Sequence, residues 1–243
     1  MGSSGRGLVV PRRNSSRRLN LEPIRGGINE WENATRRGAE SNIEHGALYD
    51  RNGNPVIGYK GDRHSVAIDR RVLNTPGATF THIHPDKSFG GTLSMQDLKV
   101  FARSNLKELR AVSSQGQLYS IRANENIDRK GLAKWVKSNQ KIAQKNFEQS
   151  YDRALREATT PLKTGPHKGQ VRLTSRQTVR DENGNRKEVR KVVYRAPMTR
   201  QQAVNYARTY SVGVFDRMYG KALSKYGVNY TATKAGRNSD RRR

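Results

Sequence analysis

The stretch Thr81-His82-Ile83-His84-Pro85-Asp86-Lys87-Ser88-Phe89-Gly90-Gly91-Thr92-Leu93-Ser94-Met95-Gln96-Asp97 decides how the chain is read. Residues 78–84, Ala-Thr-Phe-Thr-His-Ile-His, predict a strand that Pro85 ends. Side chains two apart on a strand face the same way, so His82 and His84 can share a metal ion. The loop through Gly90-Gly91 returns the chain, and Ser94 starts a helix. Asp97 then lies one turn in, where it can point back toward the loop. Two imidazoles and a carboxylate suit a borderline-soft divalent ion such as zinc, and they leave a fourth tetrahedral position for water. A plainer reading stands beside this one. Ser94 caps the helix, and Asp97 sits where the macrodipole favours a carboxylate. Both roles can hold together.

Upstream, residues 46–69 read as β structure. Ala47-Leu48-Tyr49 and Pro55-Val56-Ile57-Gly58-Tyr59 flank Asp50-Arg51-Asn52-Gly53-Asn54, a turn of residues that tolerate positive φ. His64-Ser65-Val66-Ala67-Ile68 is a third short strand, with His64 at the surface, and Thr75-Pro76-Gly77 is a turn. Downstream, a helix from Met95 to about Leu106 presents an apolar face of Leu98, Phe101, Ala102 and Leu109 at helical spacing. Residues 108–112 and 118–121 form a hairpin. The predicted class is α+β: a small mixed sheet with helices, followed by a long helix, a β-hairpin and a further helix.

That second half begins near Asp128. Leu132, Trp135, Val136, Ile142, Ala143, Phe147, Tyr151 and Leu155 recur every three to four residues to about Ala158, as one amphipathic helix. Its polar face carries Lys134, Lys137, Lys141 and Lys145. Two alternating segments, 171–179 and 188–194, make a basic ribbon that could lie in a nucleic-acid groove or simply protrude. Thr199 caps a last helix to about Lys225, with Met218 among its apolar residues. The predicted organisation is a basic arm over 1–40, an α/β domain over 41–126, a helix–hairpin–helix region over 127–232 and a basic tail over 233–243. Residues 28–31, Ile-Asn-Glu-Trp, are placed to anchor the arm.

The 243 residues carry 47 Lys and Arg against 21 Asp and Glu, a net charge of +26. So large an excess repels itself without a counter-charge. The first expected partner is nucleic acid or another polyanion, bound through the basic arms. An anionic membrane surface and an acidic protein follow. The absence of cysteine excludes disulfides, thiolate metal ligands and a Cys nucleophile. No run of 18 apolar residues exists, and Gly7-Leu8-Val9-Val10 is too short for a secretory core. No membrane span and no secretion signal are expected, and a cytoplasmic or virion-associated place is.

His-x-His-Pro followed by Ser-x-x-Asp resembles the JAMM (MPN+, JAB) metallopeptidase motif. Glu44-His45-Gly46-Ala47-Leu48-Tyr49, with the turn and Pro55-Val56-Ile57 after it, is similar to the Glu-bearing first hairpin of the RadC-like branch. The resemblance covers residues 43–121. It implies zinc held by His82, His84 and Asp97, Glu44 as general base and Ser94 as oxyanion donor. Similar domains occur in tailed-phage structural proteins and in bacterial polymorphic toxins. Two features depart from the family. Nine residues separate His84 from Ser94, two more than is usual, and Ile83 stands where Ser, Thr or Asn is usual. The extra length falls at Gly90-Gly91.

Three functions are therefore open. One is a zinc-dependent hydrolase of peptide or isopeptide bonds, with a protein as substrate or assembly partner, in a phage virion or its morphogenesis apparatus. Another is a non-enzymatic, nucleic-acid-binding or virion structural protein on a degenerate scaffold of this kind. The third is a nuclease in which His82 or His84 does acid–base work.

Overall fold

The computed structural model describes residues 7–10, 19–38, 43–62, 65–84, 92–114, 116–180 and 186–234. It is an α+β protein. The chain enters through β1 (Gly7–Val9), β2 (Asn20–Glu22) and α1 (Ile28–Gly38). Then come β3 (His45–Tyr49), β4 (Pro55–Lys60), β5 (Ser65–Ala67), the short α2 (Arg70–Asn74) and β6 (Thr79–His84). After α3 (Met95–Arg103) follow β7 (Glu108–Ser113) and β8 (Gln117–Ala123). The long α4 (Arg129–Thr159), the ribbon β9 (Val171–Arg180) and β10 (Arg186–Arg195), α5 (Arg200–Leu223) and β11 (Val228–Lys234) complete the described chain.

Seven strands form one mixed sheet in the order β11-β8-β7-β6-β3-β4-β2. The histidine-bearing β6 lies at its centre, antiparallel to β3 on one side and parallel to β7 on the other. Parallel neighbours need a crossover, and α3 supplies it. His84 is the last residue of β6.

The sheet is covered on both faces. Ile83 of β6, Ala47 and Tyr49 of β3 and Val112 of β7 pack with Trp31 of α1. Alternation sends Phe80, His82 and His84 to the other face, where α3 buries Leu98 and Phe101. The α1 face also holds a charged group in its core. Glu32 Oε1 accepts from Thr81 Oγ1 at 2.6 Å and from Arg110 Nε at 2.8 Å, and Glu32 Oε2 accepts from Arg110 Nη2 at 2.9 Å. The β3–β4 turn closes as its residues imply: Asp50 Oδ1 accepts from the backbone N–H groups of Asn52 and Asn54, and Gly53 takes a φ of 85°.

Contacts divide the chain into two compact units, Met1–Ala143 with Phe215–Arg243, and Gln144–Val214. These boundaries differ from the predicted ones at 40/41, 126/127 and 232/233. Residues 1–40 are not simply an extended arm. β1 pairs in parallel with β5, β2 joins the sheet beside β4, and Trp31 anchors α1 in the core. The few apolar residues of a basic segment are what dock it. At the other end, β11 pairs with β8 and carries Thr233 and Lys234, placed by sequence in the tail.

Two residues read as core are not. Ile142 is 54% exposed and Met218 38% exposed. Each precedes a buried residue, Ala143 or Tyr219, and one residue turns a helix by about 100°. The second unit has its own core of Ala158, Val171, Leu173 and Ala203. His64, the 85–91 loop with Gly90-Gly91, and residues 235–243 lie outside the described residues.

Candidate metal centre

His82 and His84 stand two apart on β6 with their ring centroids 4.5 Å apart. Asp97 enters from the first turn of α3. Its Oδ1 lies 3.5 Å from His82 Nε2 and its Oδ2 4.0 Å from His84 Nε2. One ligand atom from each residue lies within 4.8 Å of the other two, so the group could hold a metal ion. Side chains of His82 and Asp97 are 0% exposed, and His84 opens slightly toward solvent.

The fit to a cation rests on His82. Neither of its buried ring nitrogens makes a well-formed hydrogen bond among the described residues; Nε2 has the Asp97 carboxylate at the long distance of 3.5 Å. Buried polar atoms nearly always have a hydrogen-bond partner, and a metal ion is the partner an imidazole flanked by a second imidazole and a carboxylate would take. The charge balance agrees. Burial opposes a charged His82, yet Asp97, and after it Glu44, holds its pKa above the ordinary value. Burial likewise opposes ionised Asp97, but the imidazoles and the Ser94 backbone hold its carboxyl well below the usual carboxylate range. The pocket favours a carboxylate next to a positive charge, whether proton or metal.

Asp97 is fixed on both oxygens. Ser94 N donates to Oδ2 at 2.7 Å, while Ser94 Oγ accepts from Asp97 N at 3.1 Å. This reciprocal capping box satisfies two otherwise orphaned N–H groups at the start of α3. Leu8 N donates to Oδ1 at 3.1 Å. The capping and ligand readings of Ser94-x-x-Asp97 are therefore compatible in one geometry.

Glu44 is buried immediately ahead of β3, and its backbone bonds Gly61 and Asp62. β3 pairs with β6 as His45↔Ile83 and Gly46↔His82, so Glu44 and Gly46 belong to the histidine face. Glu44 is outside the three-residue group, but near enough for its charge to act on His82. Gly46 makes room for the buried Phe80 ring on this face: a Cβ there would come within 2.6 Å of Phe80 Cζ.

The sequence did not single out several residues that build the surroundings. Leu8 belongs to a run too short for a secretory core, and an isolated apolar patch in an Arg-rich segment is itself a docking signal. Asp216 of α5 accepts from Thr92 Oγ1 at 3.0 Å and from the Tyr230 hydroxyl. That ties the approach to α3 to the last helix and β11. Tyr219, one turn on, is buried, and burial, with the Asp97 charge next, raises its pKa. A lone acid among the apolar residues of α5 was the available clue.

Among the described residues no helix is long and apolar enough to cross a membrane. No protein-family model, curated protein or solved structure matches this chain.

Proposed function

We propose that the protein is a zinc-dependent hydrolase of peptide or isopeptide bonds, of the JAMM metallopeptidase type that its motif resembles. The observation that carries this reading is the convergence of His82, His84 and Asp97 within 4.8 Å around a buried, unsatisfied imidazole. Two nitrogens and one oxygen suit zinc and leave a coordination position for catalysis. When bound, zinc would lower the pKa of its water toward neutrality and polarise a carbonyl.

The chain's own groups divide the remaining work. Glu44, on the histidine face but outside the ligand group, takes a proton and passes it to the leaving amine. The Ser94 hydroxyl accepts from Asp97 N, which leaves its O–H to donate to the developing oxyanion. Such a donor is worth about 3 kcal/mol in comparable sites. The Leu8 and Ser94 amides hold the Asp97 carboxylate in place.

Elemental analysis of the purified protein beside His84→Ala tests the site. One zinc per chain, lost in the variant and on chelation together with peptidase activity, is the expected result. Glu44→Gln should keep the metal and lose turnover on isopeptide-linked and linear peptide substrates. Turnover retained in Glu44→Gln rejects the assigned base. Stoichiometric iron would redirect the reading, because two His and one carboxylate also suit ferrous oxygen chemistry.

A further inference from the structure

Among the described residues the β9–β10 ribbon forms a sheet of two strands, and no further strand pairs with either outer edge. Eight of its twenty residues are Arg or Lys, and only Glu188 is acidic. Their register is uneven. Arg176 stands opposite Arg190, Arg180 opposite Arg186, and Arg172 opposite Tyr194. Alternation places all six positions on one face of the ribbon. Val171 and Leu173, buried in the core of the second unit, belong to the other face. One face is thus anchored at its base, and the opposite face bears five arginine positions.

That placement is costly for the fold taken alone. Like charges at paired positions are disfavoured in an antiparallel ladder, and two arginine pairs are in register here. Protecting a free edge from aggregation does not require it, since single lysines or mixed signs do so without cross-strand repulsion. A face of in-register arginine positions suits a polyanion as its counter-charge. At the base of the face the Tyr194 ring stacks on His167, centroids 3.6 Å apart and planes within 8°. That stack gives the ribbon a stiff root.

We propose that this arginine face binds double-stranded DNA, with the ribbon lying along the major groove. A two-stranded ribbon fits that groove, and guanidinium groups grip phosphate through paired hydrogen bonds. Ten-residue strands reach about 34 Å, close to one turn of the duplex. The deep, narrow major groove of an RNA duplex does not admit such an element. The inference is independent of the metal centre.

Fluorescence anisotropy of the full chain with a labelled DNA duplex of about two helical turns, between about 50 and 200 mM salt, tests it. The variants are Arg176→Gln with Arg190→Gln, and Arg180→Gln with Arg186→Gln. Lys134→Gln with Lys137→Gln, on α4, removes equal charge elsewhere as the control. Each ribbon variant should weaken binding about tenfold and flatten the log–log salt slope by about two, the control far less. The ribbon variants should also melt no lower than the parent, because a repulsion is removed. Unchanged DNA affinity in both ribbon variants overturns the proposal. So does an equal loss in the control, which would indicate diffuse surface charge. A ribbon that aggregates or melts earlier while binding DNA normally would make the arginines edge protection. Equal affinity for an RNA duplex would overturn the groove assignment.

Discussion

The backbone N–H of Leu8 donates to Asp97 Oδ1 at 3.1 Å, across 89 residues of sequence. Leu8 is fully buried and sits in a strand paired with Ser65–Ala67. A segment that composition marks as a loose basic arm thus orients the carboxylate of the candidate metal centre. Groups that hold a ligand are worth about 10- to 100-fold in metal affinity. Deleting residues 1–10 should cost that much in a competition titration against a chromophoric chelator, with the circular dichroism retained. Leu8→Pro removes the donor together with a buried side chain and should reproduce most of the loss, whereas Leu8→Ala, which keeps the N–H, should not. Unaltered affinity in both variants would show that the contact does no orienting.

Ser94 separates the capping and metal roles. Ser94→Ala removes the hydroxyl that accepts from Asp97 N and should cost about 1 kcal/mol of stability. The metal should remain, because Asp97 keeps the Leu8 and Ser94 backbone donors. Peptidase turnover should fall about 100-fold. Thermal melting, elemental analysis and a rate assay on one preparation read the three effects apart. Loss of metal in this variant would contradict the separation.

Arg110 and Glu32 make an ion pair on the face away from the histidines, with Thr81 completing it. Removing one partner strands the other charge. Arg110→Ala should therefore lower the unfolding free energy by about 3–5 kcal/mol in urea titrations. Metal affinity of the folded fraction should not change, since the sheet lies between the two clusters. A loss below about 1 kcal/mol would mean that water reaches Glu32 and replaces the guanidinium.

Asp69 caps α2 and binds three donors: Tyr59 Oη at 2.9 Å, Arg71 N at 2.9 Å and Arg71 Nε at 2.7 Å. Burial alone would raise its pKa, but the Arg71 and Tyr59 bonds outweigh it and the carboxyl titrates below its ordinary value. A carboxyl depressed by folding contributes stability that is fully present above its unfolded pKa, about 3.9. That contribution is lost as pH falls through the folded value. Asp69→Asn should be about 1 kcal/mol less stable than the parent at pH 7. The gap should narrow below about pH 4. A constant gap from pH 7 to pH 3 would assign the effect to hydrogen bonding alone.

Local pattern was enough for much of the fold. The Ala47–Tyr59 hairpin and its Gly53 turn follow from alternation and turn chemistry, forces that act within a few residues. The long α4 and the basic ribbon follow from periodicity over ten residues or more. The same locality accounts for two misplaced core residues, Ile142 and Met218. An apolar residue at the edge of a helical stripe is legible, but its neighbours in space are not. α2 and β11 are not legible in the sequence because a five-residue helix and a strand behind a helix have weak local signals. Asp69 and the edge of β8 stabilise them.

By itself the sequence determined the α+β class, the His-x-His strand, the Ser-x-x-Asp helix start and the excess of positive charge. Each is a property of residues near one another along the chain. Tertiary structure alone decided that β6 runs through the centre of the sheet and that α3 brings Asp97 between His82 and His84. It also decided that Leu8 reaches that carboxylate and that Arg176 pairs in register with Arg190. Those relations depend on strand order, crossover and register, which burial of the whole core fixes and which no short window of residues contains.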